Sequence, residues 1–540
     1  MFLKSRSFRL AAAAVTLALA VAPLAAAQSA LGTVHFPNSG AEEAQDAFQR
    51  GVASLHSFWY EEAAEAFKNA QEIDSDFALA YWGEALSYNH PLWSEQDISA
   101  GREVLRRFGA TRAERRSKTP TERERMYMDT VEILYGPGDK YERDQRYHEA
   151  LRRLAEAHPE DNEAQAFYAL SYLGLVRRGE PGFHRQMKAG AIASTLFQAE
   201  PNHPGAAHYV IHSFDDPEHA PLALEAANRY AEIAPEAHHA QHMPSHIFVQ
   251  HGMWNRVSKS NRIAYDASAK WVEEKNLSIT KRDYHSLEWK AYADLQRGVY
   301  SASQDAIGIV EEAAAEVDDL RLRRIAASMT ARYAIETGQF DAIELPDEAS
   351  VDTSRYNSTA NLLMAAGMKA AAGKDAAGAK RAAELLGKLA DARIEEGQQY
   401  QADSVRIMEH EVLALAAQAK GDMESAIAHA AKAADIEETQ DPPSGPTYPM
   451  KPSHELYGEI LLAAGKAEEA RAQFEESMAR TPNRTASLLG LARAATALGD
   501  ADVAARAYST LATFLTAADD AVPFLDEVRS HTTATTDLQE

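Results

Sequence analysis

Small and apolar residues recur along this chain with a period of about 34 residues, the length of a two-helix hairpin in helical-repeat proteins. Two distant stretches carry the same spacing, namely Gly51, Ala63 and Phe67 in one and Gly458, Ala470 and Phe474 in the other; Ala70 follows in the first and Pro482 in the second. Small residues let the helices of a hairpin approach closely, the aromatic ring fills the space toward the next hairpin, and proline ends a helix. The pattern predicts an all-α chain, an α-solenoid of helical hairpins.

A proline-rich stretch, DPPSGPTYPMKP over residues 441–452, interrupts this pattern. Proline lacks the amide hydrogen that a helix interior needs, so the stretch is predicted to be an irregular loop, and it could fold against the groove of the solenoid. We therefore predict repeats over 28–440, the loop over 441–452, further repeats over 453–530 and a frayed tail over 531–540. Within the first region, TPTE at residues 119–122 predicts a helix start capped by Thr119.

The first 27 residues have the pattern of a secretory leader. Lys4, Arg6 and Arg9 are followed by an apolar stretch over residues 10–24 and by three alanines that end at Ala27. The apolar run is short for a membrane anchor and ends in small residues. We predict cleavage between residues 27 and 28, a periplasmic or secreted protein, and no membrane span in the mature chain.

Charge and cysteine content narrow the classes of function. The formal net charge is -25, which repels nucleic acid and anionic membranes and favours cations. The chain has no cysteine, which excludes disulfides and a lipid-anchored leader. We predict a protein or peptide partner and no nucleic-acid partner.

Two histidine pairs are the most direct sign of chemistry. His208 and His212 are four residues apart in HYVIH, and His242 and His246 are four apart in HMPSH, one repeat further along the chain. On a helix, side chains four apart face the same side. The stretch over residues 203–251 holds nine of the 20 histidines, far more than an even scatter would place there.

Two such pairs on neighbouring hairpins are able to close a four-ligand metal shell. Imidazole suits divalent transition metals such as zinc, copper or iron. Asp215, Asp216 or Glu288 would complete or orient that shell. Three histidines with a water would indicate catalysis, whereas four filled positions would indicate a structural or storage site.

Two other interpretations stay open at this point. The histidines bind another ligand, or they are structural and only bond to neighbouring backbone. Pro244 lies inside the second pair, and a helix that begins there would make the two pairs non-equivalent. The spacing also matches no compact zinc signature such as HExxH.

The repeat pattern resembles tetratricopeptide-repeat proteins over most of the chain. The strings AAHYVIHSFDDPEHAPLAL, HHAQHMPSHIF and DYHSLEW resemble, more narrowly, a group of exported bacterial tetratricopeptide-repeat proteins. The resemblance implies a right-handed superhelix in which the first helix of each hairpin lines the concave groove. It then places His208, His212, His242 and His246 in that groove, together with the candidate ligand-binding residues His239, His285 and Glu288.

Three functions are compatible with these features. The leading hypothesis is a binding or scaffolding module for a protein or peptide, with a metal or ligand site in its groove. The second is a metal-dependent hydrolase that activates water at the histidines, with Asp215, Asp216 or Glu288 as base. The third is an assembly protein in which the histidines are structural.

Overall fold

The computed structural model describes residues 30–180, 182–347 and 356–536. The predicted leader, residues 1–27, lies outside the described residues, as do residues 537–540. The described part of the chain is predominantly helical, and helices that are consecutive in sequence pack against each other. The prediction of an all-α solenoid is confirmed.

The first half of the chain forms helices α1 to α14. Their bounds are α1 Gln45–His56, α2 Tyr60–Ile73, α3 Ala78–Leu86, α4 Ile98–Phe108, α5 Arg112–Lys118, α6 Glu122–Leu134, α7 Lys140–Ala157, α8 Asn162–Gly174, α9 His184–Ala199, α10 Pro204–Ser213, α11 Leu224–Ile233, α12 His238–His242, α13 Pro244–Gln250 and α14 Trp254–Glu274. A two-residue antiparallel pair, β1 Asn89–His90 and β2 Glu95–Gln96, lies between α3 and α4.

The second half forms helices α15 to α26. Their bounds are α15 Tyr284–Gln296, α16 Tyr300–Glu316, α17 Leu320–Thr337, α18 Tyr356–Ala372, α19 Ala376–Glu395, α20 Gln399–Ala419, α21 Met423–Glu437, α22 Ser453–Ala463, α23 Ala467–Arg480, α24 Thr485–Leu498, α25 Ala501–Phe514 and α26 Leu525–Thr536. The last helix thus continues into the stretch from residue 531 onward that the sequence suggested would fray.

The small and aromatic residues of the repeat pattern pack as their spacing indicates. Phe67 of α2 lies against Gly51 of α1 and Gly83 of α3, so closely that a Cβ on either glycine would meet the ring. Phe474 repeats this contact against Gly458 in the second half. Each aromatic ring therefore joins its own hairpin to the next. The buried side chains of the described residues group into four hydrophobic clusters along the array.

The start of α6 differs from the prediction by two residues. Thr121, not Thr119, caps the helix, and Glu124 closes the capping box with it. Both threonines have a glutamate three residues later, so the sequence pattern fits either one. Thr119 instead ends α5, where its buried hydroxyl donates to the carbonyl of Arg115 at 2.9 Å.

The solenoid curves so tightly that its first turn closes on itself. The amide of Thr33 donates to the carbonyl of Asn202 at 2.9 Å, and Trp59 packs edge-on against Trp271 with ring centroids 5.6 Å apart. In the second half, Trp254 donates to the carbonyl of Asn483 at 3.1 Å. Buried side chains from α1 to α15 form one hydrophobic core inside this first turn.

The proline-rich stretch 441–452 contains no helix and reaches back across the molecule. Gln250 donates to the carbonyl of Pro443 at 3.0 Å, and Arg332 donates to the carbonyl of Thr447 at 2.7 Å. Gly445 lies directly against the ring of Trp289. The loop therefore lies beside α13, α15 and α17. None of the described helices combines the length and the apolar character needed to cross a membrane.

Candidate metal centre

Three histidines from two helices converge beside the start of α2. His208 and His212 lie one turn apart on α10, and His239 lies at the start of α12. One ring nitrogen of each lies within 4.8 Å of the others. His208 is fully buried, whereas His212 and His239 are half-buried. We call His208, His212 and His239 the histidine tripod.

Hydrogen bonding fixes which nitrogen of His208 is free. Its Nδ1 lies 2.7 Å from the main-chain oxygen of His56, and a carbonyl only accepts, so Nδ1 carries the proton. In a neutral ring the other nitrogen, Nε2, then holds a lone pair. The Nε2 atoms of all three tripod residues are buried and have no hydrogen-bond partner among the described residues. Buried polar atoms normally have one, so these atoms need an explanation.

The tripod rings are neutral at physiological pH. Burial lowers the pKa of His208 to about 3 and lowers the pKa of His212 and His239 well below the ordinary value. Nearby histidines lower all three further. Neutral imidazole is the form that binds a metal ion, and no proton has to be displaced from Nε2 of such a ring.

Aromatic rings wall the tripod on its buried side. The ring centroid of Phe58 lies 4.3 Å from that of His208, and it stacks on His212 and His239 at 5.7 and 5.6 Å. Tyr230 stacks on His208 at 5.1 Å. These contacts cover one side of the tripod with apolar rings and restrict the rotation of the imidazoles.

Phe58 occupies a backbone conformation that usually belongs to glycine. Its φ is 53°, in the turn between α1 and α2. Later hairpin turns place Gly252, Gly298 and Gly465 in the same left-handed region. A residue with a side chain is strained in this conformation. The first hairpin therefore carries backbone strain at Phe58, the residue whose ring packs against the tripod.

The second predicted pair lies next to the tripod. Pro244 divides the segment, so that α12 ends at His242 and α13 begins at Pro244. Met243 between them keeps helical backbone angles, and His242 and His246 therefore still face each other, with Nε2 atoms 3.1 Å apart. The two pairs are not equivalent, because His239 rather than His242 joins His208 and His212.

The acidic candidates differ in their surroundings. Asp215 Oδ2 lies 2.6 Å from Nδ1 of His246, and Asp215 Oδ1 is buried without a partner in the described structure. Asp216 instead holds the turn after α10, where it accepts from the backbone amides of Glu218 and His219 at 3.0 Å. Burial raises the pKa of Asp215 well above its ordinary value.

His285 and Glu288 lie on α15, on the far side of the second pair. The ring centroid of His285 is 4.9 Å from that of His242, and His285 is exposed. Burial raises the pKa of Glu288, while His285 and Arg332 act in the opposite direction. Of the two, His285 is the one that directly adjoins the histidines of α12.

A second buried group lies behind the tripod and was not predicted from the sequence. The carboxylate of Glu163 accepts a hydrogen bond from Nε2 of His56 at 2.6 Å and another from Nε2 of His203 at 3.3 Å. The other nitrogens are also used: Nδ1 of His56 pairs with the hydroxyl of Tyr209 at 2.8 Å, and Nδ1 of His203 accepts from the amide of Ala206 at 3.0 Å.

Two neutral imidazole rings and an ionised carboxylate satisfy all of these hydrogen bonds. Burial alone would raise the pKa of Glu163, but His203 and His56 bring it well below its ordinary value. Burial lowers the pKa of His56. Although the three residues have a ligand-like spacing, every nitrogen is engaged, so this group is a support and not a candidate metal site. It also leaves one buried negative charge close to the tripod.

Comparison with known proteins adds little to this picture. No protein-family model and no curated protein matches the chain. Among solved structures, yeast Tom70 is similar over 83% of this chain and 88% of its own, with 10% identity and a TM-score of 0.31. A monomeric IFIT1 mutant with m7Gppp-AAAA covers 87% of this chain and 100% of its own, with 11% identity and a TM-score of 0.36. The human IFIT1 dimer with PPP-AAAA has 13% identity and a TM-score of 0.31, over 87% of this chain and 89% of its own.

Proposed function

We propose that this protein binds a divalent transition-metal ion through Nε2 of His208, His212 and His239. Two observations carry the proposal: one ring nitrogen of each histidine lies within 4.8 Å of the others, and all three Nε2 atoms are buried without a partner in the described structure. Three structural histidines would each bond to a neighbour, as His56 and His203 do a few ångströms away. A metal ion would account for all three unpartnered Nε2 atoms at once.

The chemistry of the surroundings supports a cation. The three ligands are neutral, so a divalent ion keeps its full charge at the site, and the ionised Glu163 offsets part of that charge from behind. The hydrogen bond from Nδ1 of His208 to the carbonyl of His56 is the second-shell contact that commonly orients a ligating imidazole. Imidazole ligands select zinc, copper or iron over magnesium and calcium.

Three protein ligands leave a coordination position for a small molecule. His212 and His239 are half-buried residues, so the tripod would be the part of the site nearest to solvent. The leader-like sequence of residues 1–27 supports placing this chemistry outside the cytoplasm, in the periplasm or secreted. Binding of a protein or peptide partner stays a prediction that rests on the helical-repeat fold.

Metal analysis tests the proposal directly. The protein, made without a histidine tag and purified without chelator, would be incubated with zinc, copper or iron(II) salts, desalted and analysed for metal. Replacing half-buried His212 or His239 by alanine is expected to remove one ion per chain, while exposed His184→Ala is the matched control. Wild-type protein that retains none of the three metals would overturn the proposal.

Hydrolysis by metal-bound water is the second candidate function, and the unpaired Oδ1 of Asp215 favours it. A carboxylate oxygen without a partner is suited to accept the proton of an activated water. The metal-loaded protein would be assayed with p-nitrophenyl acetate and bis(p-nitrophenyl) phosphate. Turnover that depends on metal and is lost in Asp215→Asn supports this function, and equal rates in the two proteins contradict it.

A further inference from the structure

The last helices of the array return to the turn between α15 and α16, and a cavity lies between them. The amide of Asp519 donates to the carbonyl of Gly298 at 2.9 Å, and the amide of Ser301 donates to the carboxylate of Asp519 at 2.7 Å. The cavity is lined by α15, α17, α22 and α24, and its volume is about 530 Å³. Pockets for small ligands commonly measure about 300–1,000 Å³, so this one is large enough to hold a ligand.

Apolar side chains form one part of the cavity wall. Leu295, Tyr300 and Leu489 line the cavity and are buried, and Leu462 and Phe524 line it and are half-buried. Burying an aliphatic or aromatic group of a ligand against these side chains would be favourable, because apolar surface is removed from water on both partners. The wall therefore fits a ligand with an apolar part.

Three charged side chains also line the cavity, and each has hydrogen-bonding capacity that the protein does not use. Arg493 donates from Nε and Nη2 to Glu527 at 3.0 and 2.7 Å, and its Nη1 has no partner among the described residues. Glu459 accepts from Lys451 at 2.7 Å through Oε1, whereas its Oε2 has no partner in the part of the chain that the structure describes. Buried Lys451 bonds to Glu455 and Glu459, and an ammonium has a third N–H to donate.

Glu459 is the carboxylate of the cavity that a ligand can reach. The other lining carboxylate, Glu336, accepts from the buried guanidinium of Arg484 through both oxygens, at 2.7 and 2.9 Å. The side chain of Glu459 is 41% exposed. Glu459 also lies near Arg493: the bond with Glu527 raises the pKa of Arg493, burial lowers it, and the negative charge of Glu459 raises it further.

A complementary ligand has two opposite charges close together. The free oxygen of Glu459 suits a cationic group, and the free donors of Arg493 and Lys451 suit an anionic group. Because Glu459 lies beside both cations, the two charges of the ligand have to be adjacent as well. An α-amino acid carries its ammonium and its carboxylate on one carbon, and its side chain would then meet the apolar wall.

We propose that this cavity binds a free α-amino acid with an apolar side chain. The carboxylate of the ligand would bond to Arg493 and Lys451, and its ammonium to Glu459. The site uses none of the tripod residues, so this inference goes beyond the proposed function and does not depend on it. Lys451 belongs to the proline-rich stretch 441–452, which would thus supply one of the ligand-binding groups.

Calorimetry tests the proposal. The protein would be titrated with L-leucine and L-phenylalanine, and with the N-acetyl and amide derivatives of each, which lack one of the two charges. One amino acid per chain is expected to bind, and each derivative to bind at least about tenfold more weakly, since a hydrogen bond to a charged group contributes at least that factor. Arg493→Gln and Glu459→Gln should lower the affinity for the amino acid by a similar factor.

Glu527→Gln is the matched control. It breaks the same ion pair as Arg493→Gln but keeps the guanidinium, so it should bind the amino acid as the wild type does. Circular dichroism checks that each variant is folded.

Three results would overturn the inference. The first is that neither amino acid binds to the wild type at millimolar concentration. The second is that the amino acid and both of its derivatives bind equally, which would mean that apolar burial alone acts. The third is that both Arg493→Gln and Glu459→Gln bind as the wild type does, which would place the ligand elsewhere. None of these results bears on the metal ion, whose binding is tested at His212 and His239.

Discussion

Nδ1 of His208 donates to the main-chain oxygen of His56, a residue 152 positions earlier, over 2.7 Å. The bond joins α10 to the end of α1 and leaves Nε2 of His208 as the nitrogen without a partner in the described structure. One hydrogen bond therefore serves two purposes: it closes the first turn of the solenoid and orients a candidate metal ligand. Metal binding and the stability of this turn should be linked.

Zinc should therefore stabilise the wild-type protein against unfolding. An ion that binds only the folded state at 100 times its Kd adds about 2.7 kcal/mol. Thermal unfolding followed by circular dichroism, with added Zn²⁺ and with EDTA, measures this difference. His239→Ala should lose most of it. A melting temperature that does not respond to zinc in the wild type would argue against a built site.

Replacing Phe58 by glycine tests two opposing contributions of this residue to stability: the strain of its backbone and the packing of its ring. Glycine would relieve about 1 kcal/mol of strain at φ 53°, but losing a buried phenyl ring costs roughly 3–5 kcal/mol. We expect a net loss of about 2 kcal/mol in urea unfolding, together with weaker metal binding. Gly465→Ala, at a similar turn with no atom near the added Cβ, is the control and should cost about 1 kcal/mol with no effect on metal. Stabilisation by Phe58→Gly would show that the ring contributes little.

The metal-free protein should lose stability as the pH falls below about 6.5. The folded-state pKa of His208 is about 3, below its unfolded value, so the unfolded chain binds more protons in this range. The stability is present above the unfolded pKa and is lost as the pH falls toward 3, by about 1.4 kcal/mol per pH unit for each such histidine. Urea unfolding at pH 7 and pH 5 measures the slope. His212→Gln should reduce it, since the pKa of His212 is also well below its ordinary value, and His184→Gln should not.

Glu163→Gln should destabilise the fold without removing a metal ligand. The carboxylate accepts from two buried histidines, and an amide offers one acceptor and a donor that has no place there. We expect a loss of about 3 kcal/mol, the lower end of the range for a broken buried charged pair. Thermal unfolding without metal gives the stability. Zinc affinity should fall only modestly, because a nearby negative charge is lost while the tripod is kept; a complete loss of binding would mean that Glu163 is itself a ligand.

The packing of the loop over residues 441–452 can be tested by a substitution at Gly445. A Cβ on Gly445 would meet the ring of Trp289, which packs on His242 and His246. Gly445→Ala should shift this ring, lower stability by about 1–3 kcal/mol and change the tryptophan fluorescence. Gly308→Ala, in a helix with open space around the added Cβ, should be neutral or slightly stabilising. An unchanged fluorescence spectrum in Gly445→Ala would show that the loop does not pack here.

The repeat pattern was sufficient to predict the fold because it is local. The contact of Phe67 with Gly51 lies within one hairpin, so the spacing in the sequence reports it directly. The placement of the α6 cap shows the limit of such patterns, because two overlapping threonine–glutamate pairs satisfy the same rule. Only the packing of Thr119 against the end of α5 decides between them.

Part of the candidate site was also predictable from the sequence, because that part is local. His208 and His212 are four apart on one helix, and the sequence shows that they share a face. Which third histidine joins them depends on how α12 lies against α10, and no periodicity encodes that. The sequence did not indicate Glu163 and Phe58 as part of the site, because only the closure of the first turn brings them next to the histidines. Asn261 was missed because its role is to fix a ring and not to bind a ligand.

The closed first turn also sets the number of hairpins. Repeat proteins usually gain or lose repeats readily, because each repeat contacts only its neighbours. Here the amide of Thr33 meets the carbonyl of Asn202, and α1 meets α10, so the hairpins between them form a ring with a fixed count. Inserting or deleting one hairpin there would carry His56 and Glu163 away from His208. Within that ring the number of hairpins is therefore tied to the geometry of the candidate site, a constraint that does not act on the hairpins outside it.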